Sequence, residues 1–144
     1  MCTEYLCEFV NVVNICFKKY SVFRGRANRA EYWYWRLFEF LVAYASFRID
    51  QIFFEKNSTT ISLVTFFITL IPGISVSVRR LHDIGRSGWW LLFPLLSTFF
   101  FFFTKITNMS IIIINVATIL SIVSFLVLLF WFVSPGTKEK NRFG

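Results

Sequence analysis

The polar stretch RRLHDIGRSGWW, Arg79 to Trp90, separates two runs that carry no charge, Ile61 to Val78 and Ser87 to Thr104. Its arginines, histidine and aspartate cannot follow those runs into hydrocarbon, where an ionised side chain costs about 2.5–3.5 kcal/mol on insertion scales. The block therefore reads as a tight turn at a membrane surface, and the chain as an integral membrane protein.

Composition agrees. Soluble domains are about 45–50% apolar and about 25% charged, whereas this chain of 144 residues is 56% hydrophobic and 16% charged. Its 20 Phe and 5 Trp suit helices whose flanks meet acyl chains and whose ends lie in the interfacial aromatic belt. A single domain, 1–144, is the economical reading. Cys2, Cys7 and Cys16 match no zinc or redox spacing and read as reduced thiols on a helix. Met1 to Phe17 carries Glu4 and Glu8 but no Lys or Arg, so a secretory signal is not expected, nor is a lipoprotein anchor at Cys2.

A spanning helix needs roughly 20 mostly apolar residues. Ile61 to Val78 meets this with an interruption at Pro72-Gly73, where a kink is expected. Ser87 to Thr104 is the next run, and Ile111 to Val133 is the core of a charge-free stretch stopped by Pro135 and Gly136. A further span, Tyr32 to about Phe53, contains Arg36, Glu39, Arg48 and Asp50. Arg36 and Glu39 are three apart and pair on one helix face, the arginines near either end snorkel outward, and Glu39 faces the bundle.

Loop charge selects four spans over three. With four, Lys18, Lys19, Arg24, Arg26, Arg29, Arg79, Arg80, Arg86, Lys138, Lys140 and Arg142 share one side, eleven of the 15 basic residues. Lys56 and Lys105 face the other. The positive-inside rule then places both termini and the RRLHDIGR turn in the cytoplasm. Residues 1–22 form a separate element, with Leu6, Phe9, Val13, Cys16, Phe17 and Tyr20 at helical spacing; an interfacial amphipathic helix is the reading, and a plain buried helix the alternative. The expected fold is thus an all-α membrane protein: four transmembrane helices at about 31–53, 61–78, 87–104 and 111–133, preceded by that interfacial helix.

Three motifs, FRGRANRAEYW (Phe23 to Trp33), RRLHDIGRSGWW and PGTKEKNRFG (Pro135 to Gly144), together resemble domain-of-unknown-function family 805 (DUF805), small bacterial inner-membrane proteins. The resemblance covers the chain from about Tyr20. It implies a multi-span helical protein of the bacterial inner membrane with no established enzymatic activity. Two departures stand out: the short proline-containing tail that often follows NRFG is absent, and the run Phe99 to Phe103 is unusually rich in Phe.

All three motifs fall at the cytoplasmic edge, so Arg26, Arg29, Glu31, Arg79, Arg80, His82, Asp83, Arg86, Asn141 and Arg142 meet in one polar layer. The first reading of that layer is structural. Asn28 caps the first span and Glu31 completes a capping box; Asp83 has Arg79, Arg80 and Arg86 in reach; Gly85 and Gly88 allow the turn; Ser87 caps the following helix; and Trp33, Trp89 and Trp90 anchor at headgroup level. The sharper reading is a site for anionic lipid headgroups or an acidic partner segment, since arginines suit phosphate and juxtamembrane basic residues contribute about 1 kcal/mol each toward anionic lipid.

A third reading, catalysis by His82 with Asp83 on lipid headgroups, has less behind it, because neighbours in a turn need not face each other. One His and remote cysteines make no metal site, no Walker loop or GxSxG elbow occurs, and no cofactor is implied. The net charge of +7 follows from topology rather than from nucleic-acid binding. Asn57-Ser58-Thr59 and Asn108-Met109-Ser110 match the glycosylation pattern but read as ordinary polar loops. The expected role is non-enzymatic, with membrane lipids, a protein partner or a second copy as the binding partner. The alternative is an oligomeric transporter or channel component using Arg36 and Glu39 within the membrane.

Overall fold

The computed structural model describes residues 4–53, 59–107, 109–137, 139 and 141–143, with side chains from Leu6 onward. Cys2, Lys56, Asn57, Ser58, Asn108, Lys138 and Lys140, all used in the sequence reading, lie outside the described residues. Among the described residues five α-helices follow in order: α1 (Glu4–Lys18), α2 (Arg29–Phe53), α3 (Thr60–Asp83), α4 (Leu92–Ile106), entered through a 3-10 turn at Gly88–Leu91, and α5 (Ile111–Val133). No strand occurs among the described residues.

Among the described residues, three helical stretches are long and apolar enough to cross a membrane: Thr60–Asp83, Gly88–Ile106 and Ile111–Val133. The 25-residue α2 has the length, but its charged residues set it apart in composition. Two helix pairs, α2 with α3 and α4 with α5, make the main packing interfaces, and α5 touches α2 and α3 more sparingly.

Polarity is inverted relative to a soluble protein. Large apolar side chains such as Phe99, Phe102, Ile112, Phe125 and Phe130 face outward, while Ser46, Asp50, Ser75, Ser77, Ser97, Thr104 and Ser124 are buried. Without water outside, apolar burial no longer drives association, so small hydroxylated residues line the helix contacts and bond across them. Ser97 and Ser124 share a hydroxyl hydrogen bond of 2.9 Å between α4 and α5, and Ser46 meets Thr65 at 2.8 Å between α2 and α3. At the far end of that pair, Asp50 accepts from the backbone N–H groups of Ile61 (3.0 Å) and Ser62 (2.9 Å) and from the Ser62 hydroxyl (2.6 Å). A carboxylate in α2 thereby caps the start of α3.

One expectation needs correction. Arg79–Asp83 continue α3, and the turn is confined to the residues after them; Gly85 takes a φ of +74° there. Pro72 lies inside the continuous α3. Lacking an N–H, it deprives the Ile68 carbonyl of its helical donor, and the Tyr20 hydroxyl donates to that carbonyl at 2.9 Å.

Helix α1 lies across α2. Phe9 meets Tyr34 edge-on, and Phe17 meets both Trp35 and Phe38. Eight residues of α1, about 12 Å of rise, thus pass over little more than one turn of α2. Val12 and Cys16 are buried in the same cluster as Tyr32, Trp35, Val76, Leu81 and Phe132, so the apolar core gathers at the motif-bearing end.

Candidate functional site

Each α-helix leaves its last four carbonyls without intrahelical donors. Helix α5 ends with no basic residue in its last turn, and other segments supply the cations. Arg80, from the end of α3, donates to the carbonyls of Phe132 and Ser134, and Arg29, from the start of α2, to that of Val133 at 3.4 Å. Tyr32 stacks on Phe132 at 4.4 Å between ring centroids, joining the two helix pairs here.

The end of α3 is closed by the C-terminal motif. Thr137 donates to the Asp83 carbonyl from its backbone N–H (2.9 Å) and its hydroxyl (3.0 Å). Asn141 Nδ2 donates to the His82 carbonyl at 2.9 Å, and the Phe143 ring lies flat on the His82 imidazole, 3.8 Å between centroids. From the N-terminal motif, Arg26 Nε donates to Asp83 Oδ1 at 2.8 Å and its guanidinium reaches the carbonyls of Thr137 and Glu139.

Carboxylates balance the interior arginines. Asp83 bridges Arg26 and Arg80, and Glu31 pairs with Arg79. Arg79 and Arg80 are 1% and 0% exposed, so these are buried, hydrogen-bonded ion pairs, in which removing one partner would leave an uncompensated charge. Gly136 packs directly on Asp83; a Cβ there would fall on the carboxylate oxygen. Next to this clasp, burial, aided by the Glu31 carboxylate, pushes the Cys16 thiol up to about 11.

Beside the clasp a cleft of about 960 Å³ runs along the α2–α3 pair from His82, Ser87 and Phe143 at one end to Ser62 at the other, with Leu92 and Leu95 of α4 also lining it. Arg36 and Glu39 line it. Arg36 Nη1 pairs with Glu39 at 2.6 Å, and Nη2 donates to the Gly73 carbonyl (2.8 Å) and the Ser77 hydroxyl (2.9 Å). Trp35 Nε1 donates to the other Glu39 oxygen at 2.7 Å. Gly73 makes room for this pair, because a Cβ there would collide with Glu39 Oε1.

A family model described as a protein of unknown function, DUF805, matches residues 20–144. The chain belongs to the DUF805 family. It is 32% identical over 127 residues to the inner membrane protein YhaI of Escherichia coli strain K12, covering 88% of this chain and 86% of YhaI. It is 27% identical over 130 residues to the inner membrane protein YhaH of the same strain, covering 88% of each, and 34% identical over 70 residues to the uncharacterized protein YiiR, covering 47% of this chain and 45% of YiiR. No solved structure matches. Family, relatives and the three apolar helices make this a helical membrane protein.

Of the residues expected in one polar layer of this DUF805 chain, Arg26, Arg29, Glu31, Arg79, Arg80, His82, Asp83 and Asn141 do meet at one end, but with different partners. Asn28 Oδ1 accepts from the Glu31 N–H at 2.7 Å, as a cap should, whereas the Glu31 carboxylate turns to Arg79 instead of closing the capping box. Asp83 takes Arg26 and Arg80, not Arg79 or Arg86. Arg86 lies over the Trp131 ring at 4.8 Å and Arg142 over Phe143 at 4.7 Å; both are exposed.

His82 does not address the Asp83 carboxylate: its Nδ1 faces the Gly25 carbonyl at 3.2 Å. Ser87 accepts from the Trp89 N–H at 3.5 Å. Trp33, Trp89 and Trp90 are exposed. No group of three His, Cys, Asp or Glu side chains suited to a metal gathers among the described residues. Sequence reasoning missed Tyr20, Trp35, Ser77, Thr137 and Gly136. A proline inside an apolar run was the available signal for Tyr20, since the orphaned carbonyl requires a donor.

Proposed function

We propose that this chain is a non-enzymatic inner-membrane protein that crosses the bilayer four times through α2 to α5, as a single domain with both termini in the cytoplasm. Helix α1 lies in the interface, and the basic end engages anionic phospholipid headgroups. The observation that carries this reading is the division of the cations. Among the described residues, the salt bridges involve only Arg26, Arg36, Arg79 and Arg80, while Lys18, Lys19, Arg24, Arg29, Arg86 and Arg142 are exposed around the clasp.

A cationic rim over a neutralised interior suits phosphate groups of the inner leaflet, each basic residue contributing about 1 kcal/mol. The transverse course of α1 supports its interfacial placement, and Trp33, Trp89 and Trp90 suit headgroup level. The charges of α2 are compatible with a span because Arg36 and Glu39 pair with each other and Asp50 caps α3.

The test uses the full chain in nanodiscs of phosphatidylethanolamine with or without phosphatidylglycerol, counting retained lipid by native mass spectrometry across salt concentrations. Lys18→Ala, Lys19→Ala and Arg86→Ala should each weaken phosphatidylglycerol retention about fivefold at low salt. A triple variant that folds normally and retains the anionic lipid as wild type does would refute the reading.

A further inference from the structure

The cleft beside the clasp adjoins the rim at Arg142, which stacks on the cleft residue Phe143, and its dimensions choose among occupants. Its walls extend along α3 from Ser62 to His82, twenty residues or about 30 Å of helix. Dividing its volume of about 960 Å³ by that length leaves a mean cross-section of about 30 Å² for atom centres, and with about 1.4 Å of radius added on each side the free width is about 9 Å. A helix with side chains needs about 10–12 Å. A methylene chain, whose carbons touch neighbours at about 4 Å, fits.

The wall chemistry then changes along the length. Arg36 and Glu39 keep 34% and 20% of their side chains exposed, and both line the cleft. Hydrocarbon alone against an ion pair at this level would be costly, so the occupant has polar atoms there. Ser77, which holds Arg36, lies five residues from His82, about 8 Å along α3, while Gly73, against which Glu39 packs, lies nine residues or about 14 Å from His82. Beyond it Thr69 donates back to the Thr65 carbonyl and Thr65 is bonded to Ser46, so the hydroxyls of the deeper wall are already engaged and Phe66, Ile74 and Leu95 offer apolar surface. At the shallow end the cleft is lined by His82, Ser87 and Phe143, and Arg142 stacks on Phe143.

We infer that this cleft holds one anionic phospholipid: its phosphate sits at the mouth by His82 and Arg142, its glycerol ester oxygens lie at the level of Ser77 and the Arg36 guanidinium, and an acyl chain extends along α3. Polar depth, width and charge sign agree for such a molecule. This rests on the anionic-lipid reading of the rim and gives it a defined seat.

The experiment counts phosphatidylglycerol retained by the detergent-extracted full chain in native mass spectrometry, against phosphatidylethanolamine as competitor. Ile74→Trp and Leu95→Trp, which fill the cleft from opposite walls, should each remove one tightly held lipid while leaving the unfolding midpoint in place. Arg142→Ala should lower the preference for phosphatidylglycerol about fivefold. Retention unchanged in both tryptophan variants overturns the cleft site, and if Lys18, Lys19 and Arg86 variants still lose lipid the rim reading survives alone. A dimer that dissociates on cleft filling, with no lipid lost, overturns it in favour of a second copy; loss of both lipid heads equally overturns the anionic assignment.

Discussion

Replacing Asp83 by Asn preserves its shape and removes the single carboxylate shared by Arg26 and Arg80. The two arginines do not suffer equally. Arg26 keeps 23% of its side chain exposed and retains carbonyl partners at Thr137 and Glu139, so its charge is screened and its share is about 1 kcal/mol or less. Arg80 is fully buried. Leaving a buried charge without its counter-ion costs about 3–5 kcal/mol, and the carbonyls of Phe132 and Ser134 that Arg80 still reaches place the expected loss near the lower end, about 3 kcal/mol in total. Reversible unfolding by sodium dodecyl sulfate in mixed micelles, followed by tryptophan fluorescence, measures it. The decisive partner is Arg80→Met. If the uncompensated charge is the cause, the double variant Arg80→Met with Asp83→Asn should recover about 2 kcal/mol relative to the sum of the single changes. An Asp83→Asn protein within about 1 kcal/mol of wild type, or additive single effects, would refute the argument that the clasp is held by buried charge pairing.

Other consequences are as definite. Tyr20→Phe should cost about 1–2 kcal/mol by stranding the Ile68 carbonyl, yet almost nothing in a Pro72→Ala background, where the helix supplies its own donor; equal effects in the two backgrounds would discount the proline explanation. Gly73→Ala should destabilise by about 1–3 kcal/mol because the new methyl meets the Glu39 carboxylate, and Glu39→Ala should relieve that cost in the double variant; the same unfolding titration reads both. With Cys2 replaced by Ser, maleimide at pH 8 should label the exposed Cys7 rapidly and the buried Cys16 slowly. A thiol raised from 9.0 to about 11 holds about a hundredfold less thiolate there, and equal labelling rates in the folded protein would contradict the packing of α1. Alkaline phosphatase fusions after Thr59 and after Met109 should be active and one after Arg86 inactive; activity at Arg86 would overturn the four-span topology.

Much of the architecture is legible in the residues because hydrocarbon tolerates so little. A charge-free run of twenty residues has one economical backbone solution, a helix, and Ile111–Val133 is bounded as read from sequence, down to its terminal residues. The three motifs were also recognisable as companions at one edge. Their partners were not. Which arginine meets Asp83 depends on where Arg26, 57 residues away in the chain, is delivered by the segment after α1, and nothing in helical spacing records that.

The same limit applies to the helix ends. That RRLHD continues α3 rather than forming the turn follows from tertiary donors and acceptors: Arg80 and Asp83 are neutralised where they stand, and Thr137 and Asn141 take up the carbonyls of the last turn. Sequence by itself determined that lipid, not water, is the solvent of these helices, because hydration and insertion energies are additive along a segment. Only the tertiary structure decided that most of the invitingly basic motif is an interior clasp and that a narrow cleft lies beside it, because pair energies and empty space depend on distances between segments remote in the chain.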